Sequence, residues 1–364
     1  MKINQIIILV LFIFSISCLS ENDENMVDVK QGISKNETII TWEDFGAKET
    51  LNLKKIKEIE LIFCSDIHIH DSHIYYNDIR SPEYFITITD LEGNIINKTI
   101  RKGKGANEQI SNSFICFNKE EKLTYTYDGQ MLNILNIYKT NSLIKEKSPT
   151  PVNSFDIGTG FNRIVAVTKD YYIIENDTSQ YKIAFLDSNK KIIKTLGQFN
   201  IDCFNKNNSY YINRAYKKNV IINKKTGNIV LIYTNIDVIE IFDAKGNSIF
   251  VGHGPENFEL VNFQPDKIEN LTGRYGLKKN KSKLAYLDGV VNDKYIYTLY
   301  AGFIFGKGIS YCSDKILVFD WDGNPVKYLQ LTEPITVFDI DEKTNTLYGY
   351  NTNTGTLYNA KLNL

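Results

Sequence analysis

Val238–Phe263 reads VIEIFDAKGNSIFVGHGPENFELVNF. It begins with strand-like text, Val238 to Phe242, and turns through Asp243-Ala244-Lys245-Gly246-Asn247. Apolar residues return, and then come two glycines two apart, a proline and an acid. The turn has hairpin chemistry: Asp accepts bonds from amides ahead of it, and Gly takes the left-handed backbone that closes it. After Gly254 the chain continues Phe258-Glu259-Leu260-Val261-Asn262-Phe263, which alternates as a strand does. A G-x-G that opens no helix is not a dinucleotide fingerprint. Gly252 and Gly254 are therefore expected to serve backbone geometry. His253 and Glu256 are left over as candidate binding residues, as is Glu108 beside the earlier Gly103/Gly105 pair.

The same text recurs. Asp90-Leu91-Glu92-Gly93-Asn94 and Asp320-Trp321-Asp322-Gly323-Asn324 repeat the turn, and Asp187-Ser188-Asn189-Lys190-Lys191 is a degenerate copy. Asp320 and Asp322 lack the full calcium-loop spacing, so a plain turn is expected there. The G-x-G pair recurs at Gly103/Gly105, Gly158/Gly160 and Gly306/Gly308. Strand text at such short spacing, with no amphipathic helix, predicts an all-β fold. A unit of roughly 50 residues fits one four-stranded propeller blade. The expected fold is a six-bladed β-propeller of four-stranded antiparallel blades over residues 37–364, with Glu37–Trp42 a candidate closing strand for the last blade. Residues 256–283 break the pattern and read as a long excursion, the kind of loop that is often functional.

The chain has 364 residues, is 43% hydrophobic and 12% aromatic, and has a formal net charge of −1. That balance leaves no basic footprint for nucleic acid. Lys2, the apolar run Ile6–Phe14 and the small residues before Cys18 have a signal-peptide layout. Ser15-Ile16-Ser17-Cys18 resembles a lipobox, with Ser15 where Leu is usual. The expectation is a lipoprotein signal over 1–18, Cys18 acylated into outer-membrane lipid, and a flexible acidic tether over 19–36. Surface exposure is expected, with the periplasmic face as the alternative. Cys64, Cys116, Cys203 and Cys312 form no C-x-x-C pair and are expected to be buried thiols.

Together these features resemble the TolB-like six-bladed β-propeller lipoproteins of the Bacteroidetes. That family carries G-x-G-P-G-E-[YF] after a strand that ends in a D-x-x-G turn. Gly252-His253-Gly254-Pro255-Glu256-Asn257-Phe258 is similar, with the acid one place early. Gly103-Lys104-Gly105-Ala106-Asn107-Glu108 keeps the acid, Glu108, in place and has Ala for Pro. The resemblance implies a fold and an envelope address. It implies no established activity and transfers no catalytic residue.

Of the four histidines, three lie in Asp66-Ile67-His68-Ile69-His70-Asp71-Ser72-His73. On a strand His68 and His70 share a face, so these two, with His73 and Asp66 or Asp71, are candidate metal ligands. The plainer expectation is a solvent-facing edge of the first blade. No G-x-S-x-G or H-E-x-x-H occurs, and Gly302–Gly308 lacks P-loop spacing. Trp321, inside a turn, is a candidate for stacking on a ligand such as a sugar. The expected function is a lipid-anchored binding module for a protein, peptide or glycan, with no catalytic residue and no cofactor. The alternative is a metal-dependent propeller hydrolase, lactonase or lyase. That enzyme would bring three or more Asp, Glu, Asn or His side chains from different blades together at the axis.

Overall fold

The computed structural model describes residues 37–129, 132–157, 163–168, 171–175, 180–199, 213, 215–258, 264–266, 274–276, 280–306 and 311–363. The signal, Cys18, the tether and Cys203 lie outside them. So do Gly158, Gly160 and Gly308.

Six four-stranded antiparallel blades follow one another along the chain. Their innermost strands are Cys64–His70, Ile115–Asn118, Arg163–Val167, Lys218–Ile222, Lys283–Val291 and Val337–Asp341, which we number as blades 1 to 6. The widest step, from blade 4 to blade 5, contains the 256–283 excursion, where Gln264–Asp266 pairs with Arg274–Gly276 as a small ladder.

Strand alternation builds the ring. Successive side chains point to opposite faces of a blade, and each face is buried against a neighbour. In blade 1 Tyr76 joins the cluster shared with blade 6, while Tyr75 joins the cluster shared with blade 2. In blade 4 Leu231 and Tyr233 face blade 3, whereas Val230 and Ile232 face blade 5. The remaining two interfaces have apolar clusters of the same kind. This is why the sequence is rich in Tyr, Phe and Ile. Truncating such a side chain, Phe319→Ala for example, costs about 3–5 kcal/mol.

The D-x-x-G turns join the third and fourth strands of blades 1, 3, 4 and 5. In the three full copies both carboxylate oxygens of the Asp accept from the Asn four residues on, through its backbone N–H and its side-chain amide. Asp320 is thus a turn residue whose two oxygens are both engaged. Gly93, Gly246 and Gly323 have φ of 79°, 91° and 88°. In the degenerate copy Lys190 takes the same place at φ 65°. Blade 2 differs, with a helix, Thr140–Lys145, between its last two strands. Six residues are too few to leave a helical period in the sequence.

Ring closure departs from expectation. Thr38–Ile39 pairs in parallel with the outer strand of blade 4, not with the last blade. Glu49–Leu51 pairs with the outer strand of blade 5. The closing strand is Lys54–Glu58, which completes blade 6 beside Thr356–Lys361. The N-terminal segment therefore runs along the outer edges of three blades. Among the described residues no helix is long and apolar enough to cross a membrane.

Candidate functional site: the central channel and the 252–257 joint

A cavity of about 490 Å³ runs down the axis, walled by residues from all six blades. Blade 1 contributes Asp66, His68 and His70; blade 4, Asn219; blade 5, Asp288; and blade 6, Asp339. Three carboxyl groups and a histidine from three different blades therefore do converge. This part of blade 1 is the innermost strand, so the blade edge that carries the histidine run faces the channel, while Ile67 and Ile69 pack inward against blade 6.

The inner strand of a blade has a row of N–H and C=O groups with no further strand to pair with. The channel side chains satisfy part of that row. Asp288 accepts from the N–H of Phe338 in blade 6 (3.0 Å) and of its own neighbour Gly289 (2.8 Å). Asp339 accepts from Ile69 of blade 1 (2.6 Å) and from Ile340 (2.7 Å). Asn219 of blade 4 donates to the carbonyl of Leu287 in blade 5 (3.2 Å). These side chains stitch the inner strands of blades 4, 5, 6 and 1 to one another in turn.

Electrostatically the floor is acidic. Burial pushes the Asp288 carboxyl up to about 7 despite its two N–H bonds, and burial raises Asp339 too. Burial alone would lower His68, but Asp66, Asp339 and Asp288 outweigh it and hold its pKa above the usual value. His68 Nε2 stands 3.2 Å from Asp66 Oδ1. His70 stacks on Phe117 with centroids 4.7 Å apart, and burial lowers its pKa. His73 Nδ1 lies 2.7 Å from the Asp71 carbonyl. Among the described residues no three His, Cys, Asp or Glu side chains are grouped to hold a metal ion.

The 252–257 segment is a joint between blades 4 and 5. His253 is buried, pairs with Glu37, and accepts Ile40 N–H at its carbonyl (2.8 Å). It thereby fixes the start of the N-terminal segment. Asp237, from the loop between the second and third strands of blade 4, accepts at Oδ2 from Glu256 N–H (3.0 Å), Asn257 N–H (2.9 Å) and the Tyr300 hydroxyl (2.7 Å). Its Oδ1 and the Tyr286 hydroxyl make no hydrogen bond and face Gly254. A Cβ on Gly254 would sit 2.1 Å from that Oδ1 and 2.6 Å from that hydroxyl. On Gly252 it would meet Phe250 and Ile40. Neither glycine has a left-handed φ; both make room for buried neighbours. Glu256 is exposed and stands 3.4 Å from Lys283. Trp321 is half-buried, and its indole donates to the Asn292 carbonyl (3.1 Å).

Asp237 has counterparts that the sequence reading missed. Asp78 caps Ile62 and Phe63 N–H, and Asp128 caps Ile110 and Ser111 N–H. Each acid follows strand text near the end of a blade's second strand: YYND, YTYD and TNID. That recurrence is the signal that could have found them. Asp288 is a single acid inside the strand text KLAYLDGVV, and Asp339 alternates with Asp341 in VFDID.

The family comparison now has its setting. Residues 44–343 match the TolB-like 6-blade propeller-like family. The chain belongs to that family. Two solved structures share the fold of this TolB-like propeller. A member of the DUF4221 family from Bacteroides vulgatus aligns with a TM-score of 0.56 at 8% identity, over 86% of this chain and 96% of that one. A candidate exported protein from Bacteroides fragilis aligns with a TM-score of 0.53 at 8% identity, over 89% and 97%. No curated protein matches the chain. The fold is, in general terms, an interaction scaffold.

Proposed function

We propose that this TolB-like propeller is a lipid-anchored binding module of the cell envelope, without catalysis, taking a protein, peptide or glycan at the channel mouth. The observation that carries this reading is the use made of the channel acids. Asp288 and Asp339 hold the backbones of neighbouring blades, which argues for a rigid receptor ring more than for an open catalytic group. The mouth supports docking, since Lys119, Lys224, Lys225, Asp293 and Glu342 stand exposed around it. The anchor rests on Ser15-Ile16-Ser17-Cys18, and more than one acyl chain would be needed for firm attachment.

The test is a pull-down from solubilised outer membranes with a glycan array alongside, using the parent and a Lys119→Glu/Lys224→Glu variant. Capture that the variant loses supports the module. Metal-dependent turnover of lactones or esters would overturn it. For the anchor, Cys18→Ala is expected to abolish labelling by an azido fatty acid, and unchanged labelling sinks that part.

A further inference from the structure

The channel floor holds more acid than base. Asp66, Asp288 and Asp339 share it with His68. Both oxygens of Asp288 and of Asp339 already accept a backbone N–H, yet each carboxylate oxygen has a further lone pair. Asp66 Oδ1 is buried and stands against the His68 ring nitrogen at 3.2 Å. Further along the same strand His70 is 3% exposed, and neither ring nitrogen makes a hydrogen bond. Its nearest carboxylate oxygen, on Asp71, stands 3.3 Å from Nε2. Buried polar atoms are nearly always satisfied in folded proteins. A buried imidazole with neither ring nitrogen hydrogen-bonded, in the wall of a cavity that also holds three carboxyl groups, leaves an acceptor nitrogen that calls for a donor from outside the chain.

We propose that the channel binds an organic ammonium: a primary amine or guanidinium headgroup among Asp66, Asp288 and Asp339, with a neutral body along Phe117, Val220, Val290 and Ile340. This deepens the binding reading above and rests on it. A divalent metal fits less well. It needs several oxygens within about 2.0–2.6 Å of one point, and no such grouping exists among the described residues. The N–H donors of an ammonium reach oxygens about 2.7–3.2 Å away in several directions, so carboxylates set further apart can share it. The neutral His70 imidazole can accept as well. A positive headgroup also relieves the burial that raises Asp288 and Asp339, so binding near pH 7 expels protons. At the mouth three lysines stand against Asp293 and Glu342, so a second positive charge on the ligand gains nothing.

The experiment is calorimetric titration of the purified chain at pH 7 with n-butylammonium, 1,4-diaminobutane, 1-butanol and Ca²⁺, each in two buffers of different ionisation enthalpy. Butylammonium is expected to bind saturably with proton release, the diamine no more tightly, and butanol not at all. Asp66→Asn should weaken butylammonium about tenfold or more, and Ile340→Trp, which fills the channel, should abolish binding should the first variant not fold. Butanol binding as well as the amine, Ca²⁺ displacing it, or unchanged affinity in folded Asp66→Asn would overturn the proposal. The probes need no partner: amine binding without partner capture sinks only the receptor reading, and capture without amine binding sinks only this one.

Discussion

Gly103–Glu108 and Gly252–Asn257 share one rhythm and one task, taking the chain from the outer strand of a blade toward the next blade. They are held from opposite sides. In the first, Glu108 N–H reaches the Gly105 carbonyl (3.2 Å), and the Glu108 carboxylate turns back onto Gly105 N–H (2.8 Å). That loop caps itself, and Gly105 is exposed. In the second, Asn257 N–H closes the same four-residue turn on the Gly254 carbonyl (2.9 Å), but the cap comes from Asp237 in another loop. Gly254 is buried. This explains the acid that falls one place early. With Asp237 in the capping place, Glu256 is free of that duty and reaches toward Lys283. One sequence motif thus encodes a surface turn in one blade and a buried joint in another.

The difference can be broken by a methyl group. Gly254→Ala drives a Cβ into a buried carboxylate and hydroxyl, and overpacking of that kind costs about 3 kcal/mol. On Gly105 the same Cβ meets only the end of the Glu108 side chain, 3.0 Å away, and a surface change of that kind costs about 0.5 kcal/mol. Denaturant midpoints of the two variants check the ratio, and equal losses would erase the distinction.

A smaller effect follows from charge. Burial raises the Asp237 carboxyl to about 6 from an ordinary 3.8. The folded state therefore binds this proton more tightly than the unfolded chain. The stability it contributes is fully present at low pH and is lost as pH rises through about 6. Moving from pH 7.5 to pH 5 should recover about 1 kcal/mol from Asp237. Asp288 acts in the same direction, so the readout is a difference: Asp237→Asn should flatten, without abolishing, the rise in thermal midpoint on acidification.

The smallest effect concerns glycine used for conformation instead of space. Lys190 occupies the left-handed place that Gly93, Gly246 and Gly323 fill in the other turns. Lys190→Gly should stabilise by about 0.5–1 kcal/mol, visible as a slightly higher midpoint. A loss would mean that the turn geometry is not what selects glycine there.

The strands, their turns and the number of blades were legible because an inter-blade core forces alternation on every inner strand. The closing strand was not. Lys54–Glu58 reads KKIKE, and as an outer strand it buries only part of Ile56, so nothing selects an apolar pattern. Glu37–Trp42, the candidate closing strand, instead lies on blade 4, and its Ile40 packs between blades 4 and 5. At the site, Asp66 and the histidines could be noticed from their clustering. Asp237 stands in no such cluster; only its recurrence with Asp78 and Asp128 marks it, and its role comes from amides some twenty residues away. Asp288 and Asp339 likewise gain theirs from the next blade's backbone.

The central claim is that the 252–257 connection is a structural joint capped from within the fold. Amide hydrogen exchange on the parent and on Asp237→Ala tests it most directly. The Glu256 and Asn257 amides should exchange as slowly as core strands in the parent and much faster in the variant, while Gly105 exchanges by local opening in both. Fast exchange at 256 and 257 in the parent, or no change on removing Asp237, would contradict it.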